Sequence, residues 1–466
     1  MTVHLIGICG TAMATLAALL KRRGHAVRGS DQGVYPPMSD FLAAESIPAF
    51  DGYRPEHITA DLDLVVVGNA ISRGNPELEE VLDRKIRYCS LPEAIREHFL
   101  WGARSIVVAG THGKTTTTAL TAWALTHGGL DPSMLVGGIA KNFGTGGSSY
   151  RLGAGRDFVI EGDEYDSVFF DKTAKFLKYL PDIAVVNNVE FDHADIYADF
   201  DAIRLTFRRL ARLVPRKGLL LLGTDSPAAA ELGTAAVSRV QTFGTKDDAD
   251  WQIHDCETAE GATRFRIRRH GSPFGSFEVP LVGVHNVRNA AAAIAVATDV
   301  GVSVERIAEG LRLFAGVKRR LEVVGVANEV TVYDDFAHHP TAVAETLAAL
   351  RASHPAARIW AVFEPRSASS CRRVFQDDFA AAFGAADEVI IAPIFRSTLP
   401  EAERLSVPRL VSDLRARNRS ARSPASIDEI VEIIVNEHRR GDLVVLMSNG
   451  GFGGIHQKLL GALSSR

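Results

Sequence analysis

Cysteine is scarce in this chain: four residues, Cys9, Cys89, Cys256 and Cys371, with no C-x-x-C pair among them. That spacing speaks against a disulfide framework and a structural zinc site, both of which need clustered thiols. Long apolar runs are missing too. No stretch of about 18 apolar residues occurs, so no membrane insertion is expected, and the first residues enter a strand pattern without the basic segment and short apolar core of a secretion signal. Neither charge is in excess. The 52 basic and 56 acidic residues leave −4, too little positive field for a nucleic acid polymer, whose binding leans on phosphate neutralisation. A cytoplasmic protein in a reducing compartment is the expectation. Internal repeats and low-complexity tracts are also absent by eye, with 144–149 read as a glycine-rich loop.

What is present is an ordinary globular composition, 46% hydrophobic and 23% charged, in a chain of 466 residues, long enough for more than one core. Short apolar runs alternate with helical periodicity throughout. Strands are expected at 3–8, 26–30 and 62–68 with helices at 11–23 and 76–85. A second series starts at 104, with strands at 105–109, 158–161, 183–187 and 219–223, a β-rich stretch from 240 to 282, and a helix at 286–300. The periodicity breaks near 314–320, and strands follow at 330–334, 359–363, 388–392 and 443–447. The fold class is α/β, divided into three domains at 1–102, 103–316 and 317–466.

The run Gly110-Thr111-His112-Gly113-Lys114-Thr115-Thr116 follows an apolar strand and leads into a helix that opens on Lys114, with its regular stretch at 116–127. Backbone N–H groups at such a turn point at phosphate, Lys114 supplies charge to β/γ oxygens, and the Thr115 hydroxyl suits Mg²⁺. The first glycine of the general P-loop pattern falls on Val108, so the match is incomplete. In the first unit Gly7, Cys9, Gly10 and Thr11 form another strand-to-helix turn, and Ser30-Asp31 ends the next strand, in the manner of a dinucleotide fingerprint. Cys9 and Ala12 depart from G-x-G-x-x-G, which leaves a tight turn without ligand as the alternative.

Carboxylates gather at strand ends, where open α/β sheets bind ligands. Glu161-Gly162-Asp163-Glu164 closes one strand and Glu190-Phe191-Asp192-His193 follows another, a set suited to Mg²⁺ unless each is a solvated acidic loop. Asn286 and Asn289 offer amides to an adenine edge, although Asn286 alone also reads as a helix N-cap. Lys318-Arg319-Arg320 is either a solvated basic turn or a phosphate clamp. Asp334-Asp335-Phe336-Ala337-His338-His339 and Phe363-Glu364-Pro365-Arg366 occupy further strand ends. Neighbouring His338 and His339 point in opposite directions on an extended segment, so they are not expected to share an ion. Ser448-Asn449-Gly450-Gly451 is a turn suited to close approach of an anion or peptide.

Taken together, in this order and over the whole chain, these segments resemble the Mur ligases, ATP-dependent ligases that attach amino acids or peptides to UDP-muramoyl substrates. Signs of one branch within the family are 7–11, 34–39, 68–76, 363–367 and 448–457. The resemblance implies a UDP-sugar-binding first domain, a central ATP-binding ligase domain and a C-terminal peptide-binding domain, with the first and last Rossmann-like. It implies that Gly7, Cys9, Gly10, Thr11, Ser30, Asp31, Asn69 and Ala70 hold the UDP-sugar. Gly110 to Thr116, Asn286, Asn289, Arg319 and Asp334 would hold ATP, the co-substrate. Thr115, Glu161 and His193 would hold Mg²⁺, with Lys114, Glu161, His193 and Arg319 catalytic. His338, Arg366 and Asn449 would meet the peptide.

Within the family, the chain is most similar to the branch that joins UDP-N-acetylmuramate to the murein tripeptide L-alanyl-γ-D-glutamyl-meso-diaminopimelate in peptidoglycan recycling. The alanine-adding branch of de novo synthesis is the alternative; it typically has Gly-x-Gly-Gly where Cys9 stands here. Members that add D-glutamate or diaminopimelate carry a modified lysine about 15 residues beyond the Asp-His pair, whereas this chain has Arg204 to Arg208 without one. A folylpolyglutamate-synthase-like ligase would leave residues 1–102 unexplained, and a nicotinamide dehydrogenase would leave Lys114, Glu161 and His193 without a task.

Overall fold

The computed structural model describes residues 1–35, 38–259, 261–395 and 399–465, so Pro36 and Pro37 of the 34–39 motif lie outside the described residues. The chain packs as two compact units. The first contains Met1–Val189, Asp201–Asp250 and Ala292–Ile307; the second contains Glu190–Phe200, Trp251–Ala291 and Ala308–Arg466. No helix among the described residues is long and apolar enough to cross a membrane.

Five parallel strands open the first unit, in the spatial order Ala49–Asp51, Ala26–Asp31, Thr2–Ile6, Leu64–Val67, Tyr88–Ser90. Val3, Leu5, Ile6, Val65, Val66 and Val67 are fully buried, as expected of parallel strands covered on both faces. Connections leave the central strand toward both edges, so the ends of Thr2–Ile6 and Leu64–Val67 border a crevice at the switch in strand order. The first strand stops at Ile6 rather than residue 8 because Gly7, at φ +86°, turns the chain, and Gly7 and Ile8 donate to Ser30 O at 2.8 and 3.0 Å.

A buried polar cluster ties this sheet to its flank. Glu77 accepts from His4 at 3.1 Å, from His57 Nδ1 at 2.6 Å, from the Arg54 backbone at 3.1 Å, and from Ser30. Burial pushes the Glu77 pKa up, but the hydrogen bonds of His4, Ser30 and His57 outweigh it and hold the carboxyl below the ordinary range. A lowered folded pKa means the stabilisation is complete above the ordinary value of 4.5 and is lost as pH falls through the folded value. Glu77→Ala is expected to cost about 3 kcal/mol at pH 7, the range for breaking a buried charged cluster. Urea unfolding at pH 7 and pH 4 checks this: the gap to wild type narrows at the lower pH, and equal midpoints at pH 7 would refute a stabilising role.

The other sheet of this unit runs Arg239–Gly244, Leu219–Gly223, Ile183–Val186, Arg104–Ala109, Asp157–Glu161, Ser133–Ala140, Ser148–Arg151. Its pairs are parallel except the last, which is antiparallel. Ser148 and Ser149, expected in a loop, begin this edge strand. A small antiparallel hairpin, Asp166–Val168 with Asp171–Ala174, follows the central strands.

The second unit holds an antiparallel meander, Trp251–Ala259, Ala262–Arg269 and Ser272–Val279. It also holds a six-stranded sheet in the order Glu322–Ala327, Val330–Asp335, Leu443–Met447, Ile359–Phe363, Glu388–Ile391, Ser420–Arg422. Its first strand is antiparallel to the next and was not expected from the sequence, which places the series start at 330. Apolar clusters fill both faces, one around Phe363, Phe379 and Val445, the other around Trp360, Ile430 and Leu446.

Candidate active site

The glycine turn after Arg104–Ala109 is set by close packing. Gly110 has φ +132°, and a Cβ there would lie 3.0 Å from Asn187 N and 3.1 Å from Asn188 N. Asn188 braces the turn, its carbonyl accepting from Thr111 N at 3.1 Å and its side-chain oxygen from His112 N at 2.7 Å. Gly113, left-handed at φ +79°, caps the helix Lys114–His127 without placing a side chain over its first N–H groups. The helix opens on Lys114, as expected, so Lys114 and Thr115 sit in its first turn, where the dipole and backbone donors favour an anion.

Lys114 Nζ donates to Gly110 O at 2.8 Å, Thr111 O at 3.2 Å and Glu164 Oε1 at 2.9 Å. Burial opposes its charge, yet Glu164, Asp163 and Glu161 prevail and raise its pKa, so it stays an ammonium. Thr115 Oγ1 donates to Glu161 Oε1 at 3.1 Å, and Gly137 N donates to Glu161 Oε2 at 2.7 Å. Asp163, Glu161 and Glu164 thus share one strand end. Glu164 was visible in the motif but given no role there; three residues after Glu161, it is the buried partner of the lysine.

In the same unit, a cavity of about 730 Å³ lies at the switch point of the first sheet. Gly7, Cys9, Gly10, Thr11, Asp31, Asn69 and Ala70 line it, and it continues to Gly137, Glu161, Asp163 and Lys175. Asp31 accepts from Cys9 N at 2.7 Å and from Tyr53 Oη at 3.1 Å. Burial, then the Asp31 charge, pushes the Tyr53 pKa far up, so its hydroxyl stays a donor. Tyr53 carries no sequence signal. Ser30, expected beside Asp31 at the ligand, is fully buried and turned to Glu77 and His4.

The second unit arranges the remaining residues. His193, at φ +53°, is fixed through its backbone N–H to Ser369 Oγ at 2.9 Å and Asp192 Oδ1 at 2.7 Å. The helix Val284–Val300 begins before Asn286, which is therefore not its N-cap. Instead Asn286 Nδ2 donates to Val282 O at 2.9 Å, and Asn289 Nδ2 donates to Asn286 Oδ1 at 3.3 Å. Arg319, also left-handed, bonds Asp334 at 3.2 Å and the carbonyls of Ser448 and Gly450 at 2.7 and 2.6 Å. It is a tied-down arginine rather than a solvated turn.

His338 and His339 do diverge. His338 Nδ1 contacts Phe336 O at 3.0 Å, while His339 Nδ1 caps the helix Pro340–Ser353 and its Nε2 contacts Phe191 O at 3.1 Å. Arg366 lies over the Phe395 ring at 3.5 Å and against Gly450, where any Cβ would collide with the guanidinium. Asn449 Oδ1 is buried without a hydrogen-bond partner among the described residues. Arg204, in the region lacking the modified lysine, pairs with Asp201 at 3.1 Å and Glu231 at 2.6 Å on an exposed helix face.

A glycine turn opening a helix beside strand-end carboxylates, with a crevice at the strand-order switch that reaches Glu161 and Asp163, is an arrangement of α/β nucleotide-dependent enzymes. Comparison with known proteins makes the class specific. Residues 2–100 match the Mur ligase family catalytic domain, 108–297 the Mur ligase middle domain, and 319–450 the Mur ligase glutamate ligase domain. The UDP-N-acetylmuramate–L-alanyl-γ-D-glutamyl-meso-2,6-diaminoheptandioate ligase of Haemophilus influenzae is 42% identical over 463 residues, 99% of each chain. A UDP-N-acetylmuramate–L-alanine ligase of Allorhizobium ampelinum is 37% identical over 96% of this chain and 94% of its own. The crystal structure of a murein peptide ligase from Psychrobacter arcticus aligns with a TM-score of 0.72 at 36% identity, covering 100% of this chain and 99% of that one. The chain belongs to the Mur ligase family and is a ligase of its three-domain architecture.

Proposed function

We propose that this ligase joins UDP-N-acetylmuramate to the tripeptide L-alanyl-γ-D-glutamyl-meso-diaminopimelate, converting ATP to ADP and phosphate, in murein recycling. The observation that carries the reading is the single cavity running from the Gly7–Thr11 turn to Glu161, beside Lys114. A sugar nucleotide bound with its diphosphate at the first turn extends its lactyl carboxylate toward the phosphate-binding loop. The carboxylate attacks the γ-phosphate of ATP to give an acyl phosphate, and the tripeptide's α-amine then displaces phosphate. Two anions meet in the first step, so charge and alignment dominate. Lys114 meets the transferring phosphate, and the first-turn N–H groups of Lys114–His127 hold it. Asn286, Asn289, Arg319 and Asp334 are assigned to the nucleoside and phosphates of ATP.

Thr115 and Glu161 present hard oxygen atoms 3.1 Å apart, a donor pair that fits Mg²⁺, with His193 assigned to a second ion. Bound there, Mg²⁺ would neutralise charge on the transferring phosphoryl group. Domain limits of 1–102, 103–316 and 317–466 are assigned, supported by family matches at 2–100, 108–297 and 319–450. A cytoplasmic location follows from the need for ATP and UDP-sugars.

Acceptor choice rests on 42% identity to a tripeptide-adding enzyme against 37% to an alanine-adding one. Phosphate release measured with free L-alanine and with the tripeptide tests it; preference for L-alanine would move the chain to the alanine-adding function. Arg366 is assigned to an acceptor carboxylate, and Asn449 and His338 are assigned to the peptide as well. Arg366→Lys loses the planar fork and is expected to raise the tripeptide KM about tenfold, leaving the KM for ATP within about twofold. An unchanged tripeptide KM would remove Arg366 from the acceptor site.

A further inference from the structure

The cavity of the first unit carries an imbalance of charge. Its lining includes three carboxylates, Asp31, Glu161 and Asp163, and one cation, Lys175. Lys175 follows the hairpin Asp166–Val168 and Asp171–Ala174 and starts a short 3-10 turn, Lys175–Lys178. The hairpin is fastened to the crevice wall: Asn69 Nδ2 donates to Asp166 Oδ1 at 3.2 Å, and Val168 packs in the cluster of Ile6, Val67 and Ile71. The other lysines of this segment are spent on the hairpin itself, Lys172 on Asp166 and Lys178 on Asp171, each at 2.6 Å. Lys175 instead reaches Asp163 at 2.6 Å, at the strand end that also carries Glu161.

We infer that Lys175 is the cation that receives the lactyl carboxylate of the sugar nucleotide and so distinguishes muramyl from glucosaminyl nucleotides. This rests on the ligase reading above. With Mg²⁺ assigned to Thr115 and Glu161 and to the phosphoryl group, Asp163 still sets a negative charge beside the incoming carboxylate, which a cation on the same wall offsets. Lys114 is committed to Gly110 O, Thr111 O and Glu164, and to the phosphate of ATP. Lys175 sits at the cavity wall with a flexible stem and three donors, so one can stay on Asp163 while another meets the incoming acid. The diphosphate end needs no such cation, because the helix Thr11–Arg22 presents its first N–H groups there.

The test compares dissociation constants of UDP-N-acetylmuramate and UDP-N-acetylglucosamine, which lacks the lactyl group, on the full-length protein by calorimetry. Wild type is expected to prefer the muramyl nucleotide. In Lys175→Met that preference should fall by about tenfold or more, the loss of one charge-assisted hydrogen bond, with UDP-N-acetylglucosamine affinity unchanged. Lys178→Met should leave both constants as in wild type. Equal weakening of both nucleotides, or no change, would overturn the assignment, since either means that Lys175 serves only Asp163 and the hairpin. Lys175→Gln, one bond shorter but keeping an N–H donor for Asp163, gives the same readout if the methionine variant does not fold. Failure of wild type to bind either nucleotide would instead overturn the ligase reading.

Discussion

Lys114→Ala is expected to lower kcat by roughly 10³-fold or more while leaving the affinity for UDP-N-acetylmuramate within about twofold. The lysine is the charge nearest the phosphate-binding turn, bonded to Gly110 O and Thr111 O and held as an ammonium by Glu164, Asp163 and Glu161. It does not line the cavity assigned to the sugar nucleotide. A complication follows from its salt bridge. Removing Lys114 breaks its ion pair with Glu164, whose side chain is 3% exposed, at a cost of about 3–5 kcal/mol. Lys114→Ala combined with Glu164→Gln should recover thermal stability without recovering turnover. Recovery of turnover in the double variant would show that Lys114 acts only as the partner of Glu164, and joint loss of sugar-nucleotide binding would contradict the separation of the two sites.

Glu161→Gln should reduce turnover on the order of 10²-fold at limiting Mg²⁺, with partial recovery as Mg²⁺ is raised. The substitution is nearly isosteric, and its amide oxygen can still accept from Gly137 N, now 2.7 Å from the carboxylate. What changes is the charge offered to a cation beside Thr115. Loss of an ion ligand therefore shows first as a shift in Mg²⁺ dependence and only then in the chemistry. Steady-state rates over a Mg²⁺ titration decide the matter: a uniform drop at every concentration points to a structural role, and unaltered rates point to a solvated acidic loop.

Much of the site can be read along the chain because each piece is local. The strand, glycine turn and helix around Gly110 to Thr116 are specified within a dozen residues, by an apolar run, two glycines at positive φ and a helix-forming stretch. Strand-end placement of Glu161, Asp334 and Glu364 follows from the same alternation, as each stands in or directly after an apolar strand. Helix starts are less legible. Val284 begins its helix two residues ahead of the expected Asn286, because the ends of a helix carry less periodic signal than its middle.

The sequence by itself determined an α/β pattern, the glycine turn before its helix and the carboxylates at its strand ends, because short-range backbone preference and apolar periodicity write these features into consecutive residues. Only the tertiary structure decided which side chains serve one another. Lys114 meets Glu164, Asp31 meets Tyr53, and Glu77 draws in His4, Ser30 and His57. It also decided that Glu322–Ala327 runs antiparallel at a sheet edge and that Lys175 faces a cavity. Such pairings join residues up to 73 positions apart, as in His4 with Glu77, and no periodicity marks them. They are fixed when strand order brings distant segments side by side, and burial then favours partners for the polar groups enclosed there.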